Sequence, residues 1–349
     1  LDALYWCGNW EHRTREEFDV LLEAELQKEK WIIDGNFSRT FPRRLQFADT
    51  VIWLDYSRLT CILGWLKRVI SNWGKTRPDM GPDCKEWLDP EFLKWLWNFN
   101  RNNRQKYRDM LMDVRVYRMA AGTTREFCRE GEEIAILLLS GEVTFCWPDG
   151  EKTAARKSVF TEGPWALHVA GGVKAAVKAV KDSEILVQCT HNEKTFASRL
   201  YAPEDAPWAY SGAKGKFGDT ANRQVNTIFD HDICPESNMV LGEVMNDRGN
   251  WSGYLPHRHP QPELYYFKFD RPEGFGASFV GDDVFKSVDN SFSAIPGGRL
   301  HPQSAAPGYL MYTCWMIRHL PGNPWLQTDR CEDDAYVWLH DAKIVNQPW

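Results

Sequence analysis

The sequence contains no pair of cysteines at the spacing of a metal-binding or redox motif. Its nine cysteines are scattered singly, and no two of them form a Cys-x-x-Cys motif. An odd number of dispersed cysteines favours reduced thiols over a disulfide framework. We therefore expect a cytoplasmic protein.

The sequence also has no excess of positive charge and no long uninterrupted apolar run. The formal net charge is −6, which gives no electrostatic reason to expect nucleic acid or a membrane surface as a partner. The most apolar stretch, residues 51–70, is interrupted by Asp55, Arg58, Lys67 and Arg68, so it does not predict a membrane span. A small molecule is the expected partner, and self-association into a homo-oligomer stays open.

Residues 1–112 show the alternating pattern of an α/β domain. Helical spacing of apolar residues predicts helices over 14–31, 59–73 and 90–113, the first of them capped by Thr14. Short apolar runs over 31–37 and 48–56 are typical of buried parallel strands. Strands that alternate with helices predict a parallel sheet.

From residue 113 onwards the pattern changes to short β-type runs separated by Gly, Pro, Asp and Asn. Many strands at short spacing predict a sandwich or barrel. Because this stretch is too long for one small barrel, we expect two in tandem. The predicted domains are residues 1–112, 113–205 and 206–349.

The stretch His257 to Phe267, HRHPQPELYYF, predicts a metal site. His257 and His259 are two residues apart, so on a strand both side chains point to one face. Glu263 follows after two prolines, and a Pro-Gly-Gly turn further along ends at His301. Three imidazoles and one carboxylate suit a single divalent ion such as Zn, Mn or Fe. The alternative is that these histidines are ordinary surface or core residues.

These motifs together resemble the two cupin motifs, and their context resembles the 5-deoxy-glucuronate isomerase family of inositol catabolism. The stretches that carry the resemblance lie within residues 114–345, and they are YRMAAGTTREFCREGEEIAILLLSGEVTFCW, GKFGDTANRQVNTI, GNWSGYLPHRHPQPELYYFKFDRPEGFG and AIPGGRLHPQSAAPGYLMYTCWM. The resemblance implies a mainly β bicupin whose metal lies in the C-terminal barrel alone. In agreement, the first barrel has only the widely separated His168 and His191. The spacing from His259 to Glu263 is short for the family.

The resemblance also implies an enzyme that moves a carbonyl group by one carbon, converting 5-deoxy-glucuronate to 2-deoxy-5-keto-gluconate. Such an aldose–ketose isomerisation passes through an enediolate, which a bound divalent ion stabilises and which needs a base to move a proton. Glu243 is the candidate base and Tyr312 a candidate proton donor. Their alternatives are an ordinary strand carboxylate and a buried structural tyrosine.

The carboxylate of a sugar acid needs a cationic partner, for which Arg223 and Arg258 are candidates. Arg258 has the strand parity opposite to the two histidines beside it, so it should point away from the ion. Arg223 is therefore favoured, and a surface salt bridge is its alternative.

Residues 1–112 resemble adenylate-kinase-like P-loop proteins described as topology modulation proteins. The resemblance is carried by LDALYW, WIIDGNFSRT, RRLQFADTVIWLDYSR, RVISNWGKTRPDM and LDPEFLKWLWNF. In that family a phosphate-binding loop ending in GK[ST] lies upstream, and the GKT of NWGKTRP lacks the preceding glycine and strand. The resemblance implies a remnant nucleotide site at Arg39, Arg68 and Arg77, with solvated surface arginines as the alternative. We expect no phosphotransfer and a less ordered first half.

Three other functions are compatible with the same residues. A cupin dioxygenase uses a similar ligand set with iron but needs an apolar pocket without a carboxylate-binding cation. A bicupin that binds sugars without turnover is a second alternative. A small-molecule kinase is the third, if an upstream segment supplies the phosphate-binding loop.

Overall fold

The structure, a computed structural model, describes residues 1–45, 47–48, 51, 54, 56–99, 112–212 and 217–342. The chain divides into two compact units, Leu1–Met110 and Leu111–Trp349. Among the described helices, none combines the length and the hydropathy that a membrane crossing requires.

The described part of the first unit is mainly helical. Its elements are α1 (Asp2–Tyr5), β1 (Trp6–Gly8), β2 (Glu11–His12), α2 (Arg15–Leu26), α3 (Phe41–Leu45), α4 (Arg58–Asn72) and α5 (Pro90–Phe99). The Thr14 side chain accepts from the Glu17 N–H while the Glu17 carboxylate accepts from the Thr14 N–H, which starts α2 where the sequence predicts. The helix predicted over 59–73 is confirmed by α4. Of the helix predicted over 90–113, α5 covers the first part, and residues 100–111 lie outside the described residues.

The strand predicted over residues 31–37 is wrong. This segment has no regular structure, and Ile32 is 99% exposed. The buried Arg44 guanidinium donates to the carbonyl oxygens of Gly35 and Asn36 at 3.0 and 2.8 Å, which occupies backbone acceptors that a strand partner would need. The strand predicted over 48–56 lies largely outside the described residues. The antiparallel pair β1–β2 forms the only sheet in the described part of this unit.

The second unit begins with a first β module, built around one long strand. Its strands are β3 (Met112–Met119), β4 (Thr124–Phe127), β5 (Glu132–Trp147), β6 (Gly150–Arg156), β7 (Ala166–Val169), β8 (Ala175–Ala179), β9 (Ser183–His191) and β10 (Arg199–Tyr201). Strand β5 pairs with β6, β7, β8 and β9. At Gly141, φ is +105° and an added Cβ would lie 2.2 Å from the Ser183 Oγ, so glycine allows β5 to pass close to β9.

A second β module follows, made of two larger sheets and a short strand pair. Its strands are β11 (Ala209–Ser211), β12 (Arg223–Phe229), β13 (Met239–Asn246), β14 (Trp251–Ser252), β15 (His257–Arg258), β16 (Glu263–Phe269), β17 (Phe275–Val280), β18 (Asp283–Val288), β19 (Ser291–Ile295), β20 (Gln303–Ala305), β21 (Met311–Arg318) and β22 (Cys331–Glu332). Six strands form one sheet in the order β11-β12-β13-β21-β16-β19, and four form the other in the order β14-β20-β17-β18. Strand β15 pairs with β22.

The six-stranded sheet has two buried faces. One face packs with the four-stranded sheet through Val240, Phe267, Val280 and Ala305. The other packs on the first β module, where Leu241 and Met316 join a core with Leu137. Because side chains alternate along each strand, neighbouring residues of β13, β16 and β21 serve different cores.

Candidate metal centre

The predicted metal-binding side chains come from three places in the second β module. His257 lies on β15, with His259 two residues on, and Glu263 begins β16. His301 follows the turn after β19. At Gly297 in that turn, an added Cβ would lie 1.9 Å from the Pro260 carbonyl oxygen. Glycine therefore lets this turn pack against the residues between His259 and Glu263.

One carboxylate oxygen lies between two of the imidazoles. Glu263 Oε2 is 3.3 Å from His259 Nε2 and 3.3 Å from His301 Nε2. The ligand atoms of these three buried residues all lie within 4.8 Å of one another. The ring of His257 borders this group, with its centroid 4.6 Å from that of His301. The structure thus brings three of the four predicted side chains together, and the His257 ring lies beside them.

Backbone carbonyls orient the three imidazoles in the same way. The Nδ1 atoms of His257, His259 and His301 lie 3.0, 3.0 and 2.8 Å from the carbonyl oxygens of Leu255, Gln261 and Arg299. We assign the proton to Nδ1 in each case, because the carbonyl can only accept. Each Nε2 is then a free lone pair, the arrangement typical of a metal-binding histidine.

Burial favours the neutral form of two of these imidazoles, His257 and His301. It lowers the pKa of His257 to about 2, with further contributions from His301 and Arg330. It also lowers the pKa of His301. Three imidazole nitrogens and one carboxylate fit the donor set of a borderline divalent ion.

The cluster lies in a cavity of about 450 Å³, whose lining also includes Arg223, Tyr265 and Arg330. Complete burial, and after it the neighbouring Glu263, raises the pKa of Tyr265 well above its ordinary value, and its hydroxyl donates to Glu263. Tyr265 follows Glu263 by two residues on β16, so strand parity could have identified it in the sequence.

Two arginines bring positive charge into this cavity. Arg223 is 7% exposed and donates to the carbonyl oxygens of Ala221 and Tyr254 at 2.9 and 3.0 Å. Burial, with a smaller contribution from Arg330, lowers its pKa to about 10. In the described part of the chain, neither arginine forms an ion pair with a carboxylate. Arg330 was not among the residues predicted from the sequence.

The structure places Glu243 and Tyr312, the predicted base and proton donor, between the two β modules. Glu243 shares its side of β13 with Leu241 and Met245, which face the first β module and not the cavity. Its carboxylate accepts from Arg156 at 2.8 and 3.0 Å, and from the Tyr312 hydroxyl at 2.6 Å. These are fully buried groups that hold two β modules together, and they do not reach the cavity.

Arg258, the other predicted substrate-binding residue, is not among the residues that line the cavity. Its side chain is 46% exposed and its Nη1 lies 3.5 Å from Asp333 Oδ2. It points out of the cavity, as the strand parity predicts.

The three arginines of the predicted nucleotide remnant are all paired with carboxylates. Arg39 binds Asp19 through both terminal nitrogens, at 2.9 and 2.6 Å. Arg68 and Arg77 both contact the buried Glu86, at 3.1 and 2.8 Å. Each of these guanidinium charges is paired with a carboxylate of the first unit, which argues against a role in phosphate binding.

Comparison with known proteins gives a consistent result over the β-rich part of the chain. Residues 96–339 match the KduI/IolB family. The 5-deoxy-glucuronate isomerase of Geobacillus kaustophilus (strain HTA426) is 27% identical over 250 residues, which cover 62% of this chain and 85% of that protein. The 5-deoxy-glucuronate isomerase of Bacillus subtilis (strain 168) is 24% identical over 247 residues, covering 65% and 87%.

A solved structure shows the same fold. An IolB-like protein from Salmonella typhimurium LT2 superimposes with a TM-score of 0.60 at 19% identity, covering 66% of this chain and 90% of that one. The predicted fold class, a mainly β chain, is confirmed.

Proposed function

The chain belongs to the KduI/IolB family, and from this we propose that it is a metal-dependent aldose–ketose isomerase that converts 5-deoxy-glucuronate to 2-deoxy-5-keto-gluconate in inositol catabolism. The names of the similar Geobacillus and Bacillus proteins support this reaction. The same proposal places the enzyme in the cytoplasm, where a sugar acid from catabolism is available.

One observation carries the proposal. The Glu263 carboxylate lies 3.3 Å from the Nε2 atoms of both His259 and His301. The same cavity holds Arg223, which forms no ion pair with a carboxylate of the described residues. The cluster provides a place for a divalent ion, and the guanidinium provides a partner for the substrate carboxylate. A cavity lined by the buried guanidinium of Arg223 favours a sugar-acid isomerase over a cupin dioxygenase, because the dioxygenase needs an apolar cavity.

The residues that would hold one Zn, Mn or Fe ion are His257, His259, Glu263 and His301. When bound, a divalent ion polarises the carbonyl group and stabilises the enediolate that forms from it. Tyr265 holds the Glu263 carboxylate through its hydroxyl hydrogen bond, which keeps one carboxylate oxygen directed at the cluster. Arg223 binds and orients the carboxylate end of the substrate.

For the chain organisation we propose a partial P-loop-kinase-like segment at 1–112, a cupin without metal at 113–205 and a metal-holding cupin at 206–349. The compact unit Leu1–Met110 supports the first boundary. The positions of α2 and α4 support the kinase-like resemblance, whereas the missing strand at 31–37 does not. We propose that this segment performs no phosphotransfer.

Metal analysis and an isomerase assay together test the proposed function. The purified protein should contain about one divalent ion per chain and should isomerise 5-deoxy-glucuronate. His301→Ala removes one Nε2 ligand, so its turnover should fall by more than the roughly 10- to 100-fold that loss of an outer-shell partner costs.

The matched control is His12→Ala, which removes an exposed imidazole in the first unit and should change neither metal content nor turnover. Wild-type protein that is loaded with metal but inert on 5-deoxy-glucuronate would contradict the reaction. Unchanged turnover of His301→Ala would contradict the site.

A further inference from the structure

The segment after the last strand of the six-stranded sheet contributes an arginine to the cavity. Arg330 lies between a short 3-10 turn, Gln327–Asp329, and strand β22. The turn is closed by a hydrogen bond from the Leu326 N–H to the Asp329 carboxylate at 3.0 Å. Arg330 and Gln327 both line the cavity.

The backbone pairing of β22 with β15, the strand that carries His257, fixes the position of this segment. His257 pairs with Glu332 and Arg258 with Cys331 in the antiparallel pair β15–β22. Beyond the ladder, the Asp333 N–H donates to the Pro256 carbonyl oxygen at 3.1 Å. Arg330 is therefore placed against β15 by backbone bonds, and its position does not depend on its own side-chain contacts.

The guanidinium of Arg330 stays available to a ligand. Its Nη2 lies 3.2 Å from Nδ1 of His257. That Nδ1 already faces the Leu255 carbonyl oxygen at 3.0 Å, and a nitrogen that donates to a carbonyl cannot also accept from a guanidinium. The tautomer that frees the His257 Nε2 thus leaves this N–H of Arg330 without an acceptor.

The two arginines flank the same short stretch of backbone. Arg223 Nη2 donates to the Tyr254 carbonyl oxygen, and Arg330 contacts His257 three residues further on. Both guanidinium groups line one cavity, and the charge of Arg330 contributes to the lowered pKa of Arg223, so the two groups repel each other. An anion between them removes that repulsion and accepts from both forks.

We propose that Arg330 and Arg223 together form a carboxylate-binding subsite, and that Arg330 is a specificity-determining residue that selects sugar acids over uncharged sugars. This inference rests on the proposed function for the identity of the substrate, and it assigns a role to a residue outside the metal-binding motifs. The segment 326–333 is then the element that sets how far the carboxylate end lies from the histidine cluster.

The test uses two non-isomerisable probes that differ at one end. D-gluconate carries a carboxylate and D-glucitol carries a CH2OH group at the same carbon, and neither has an aldehyde or ketone group. Isothermal titration of the purified protein should show binding of gluconate and at least about 10-fold weaker binding of glucitol, since hydrogen bonds to charged groups are the stronger ones. Arg330→Gln should weaken gluconate binding by roughly 10- to 100-fold and leave glucitol binding unchanged.

Two further variants separate the subsite from a general effect. Arg271→Gln makes the same charge change at an exposed position outside the cavity and should bind gluconate like the wild type. Arg330→Lys keeps the charge without the planar fork and should lie between wild type and Arg330→Gln. The lysine variant keeps the test valid if Arg330→Gln has a lowered melting temperature.

The possible outcomes distinguish this subsite from the proposed function. Gluconate affinity that depends on Arg330, in a protein that does not isomerise 5-deoxy-glucuronate, supports the subsite and contradicts the isomerase. Turnover of 5-deoxy-glucuronate with an unchanged KM in Arg330→Gln, and equal gluconate affinity, overturns the subsite alone. Equal affinity of the wild type for gluconate and glucitol also overturns it.

Discussion

At the scale of single residues, hydrogen bonds from outside the cluster hold each of its ligands in place. Each of the three imidazoles is held by a backbone carbonyl, whereas Glu263 is held by the Tyr265 hydroxyl. A ligand held by backbone tolerates substitution of its neighbours. A ligand held by a side chain does not, so Tyr265 is the residue at which the cluster is most sensitive to a change outside the ligands.

Tyr265→Phe should therefore weaken metal binding without unfolding the protein. The substitution deletes one hydroxyl and conserves the ring that packs in the core. Loss of an outer-shell hydrogen bond to a ligand typically lowers metal affinity by about 10- to 100-fold. Competition with a chromophoric chelator measures this affinity directly.

Tyr266→Phe is the matched control for this substitution. The Tyr266 hydroxyl donates to Asn290 at 2.6 Å on the opposite side of the same strand. Its removal should leave the chelator competition unchanged. Equal metal affinity in Tyr265→Phe and wild type would show that the hydroxyl does not position Glu263.

The residues of the cluster could be predicted from the sequence because their relationships are local. His257 and His259 share a strand face at spacing two, and the Pro-Gly-Gly turn marks His301. Arg330 could not be predicted, because it reaches His257 across 73 residues through the pairing of β15 and β22. A two-residue strand such as β22 has no periodicity that a sequence pattern can reveal.

At the scale of elements, the strands β13, β16 and β21 of the six-stranded sheet each serve two cores at once. Parity separates the residues of β13 into two sets, but it does not say which set faces the cavity. That is why Glu243 was predicted as the base although it faces the first β module. The predicted strand at 31–37 failed for another reason, since the Arg44 side chain occupies its carbonyl groups.

Glu243→Gln distinguishes a structural role from a catalytic one. Arg156 and Glu243 are both fully buried, so removal of the carboxylate charge leaves an unpaired guanidinium, which costs about 3–5 kcal/mol of unfolding free energy. Turnover per folded molecule should stay near that of the wild type, instead of falling by the roughly 10²- to 10⁴-fold that loss of a general base causes. Urea unfolding followed by fluorescence gives the stability, and the assay is corrected for the folded fraction.

A surface pair of the same type provides the control for Glu243→Gln. Glu142 contacts Lys181, whose side chain is 74% exposed, so Glu142→Gln should change the unfolding free energy by less than about 1 kcal/mol. A fully stable Glu243→Gln protein with turnover reduced by several orders of magnitude would restore Glu243 as the base.

At the scale of the whole molecule, the chain separates a helical unit from a β-rich unit, and the candidate chemistry belongs to the second. Residues that line the cavity all lie between Pro207 and Arg330, and the core that supports the six-stranded sheet from behind comes from the first β module. The change from helical to strand periodicity near residue 113 lies close to the boundary between these two units. The match of residues 96–339 to one family covers the whole second unit up to its last described elements.

A protein reduced to residues 111–349 should therefore retain the metal and the isomerase activity. Both β modules and every cavity residue are kept, so metal content per chain should be unchanged. The kcat should stay within about twofold of the whole chain's, since distant, independent sites change each other's effects by only about 0.3–0.5 kcal/mol. A protein reduced to residues 206–349 should lose both. It lacks Arg156, the partner of the Glu243 carboxylate, and the apolar residues of the first β module that cover Leu241 and Met316. A carboxylate and an apolar face that are buried in the whole chain would then be exposed to water. Metal analysis, circular dichroism and the 5-deoxy-glucuronate assay on the two shortened proteins measure this difference.

Two outcomes would contradict this prediction. Activity that disappears in 111–349 although its strands remain folded would mean that the helical unit takes part in the reaction. Activity that survives in 206–349 would mean that the second β module needs no support from the first.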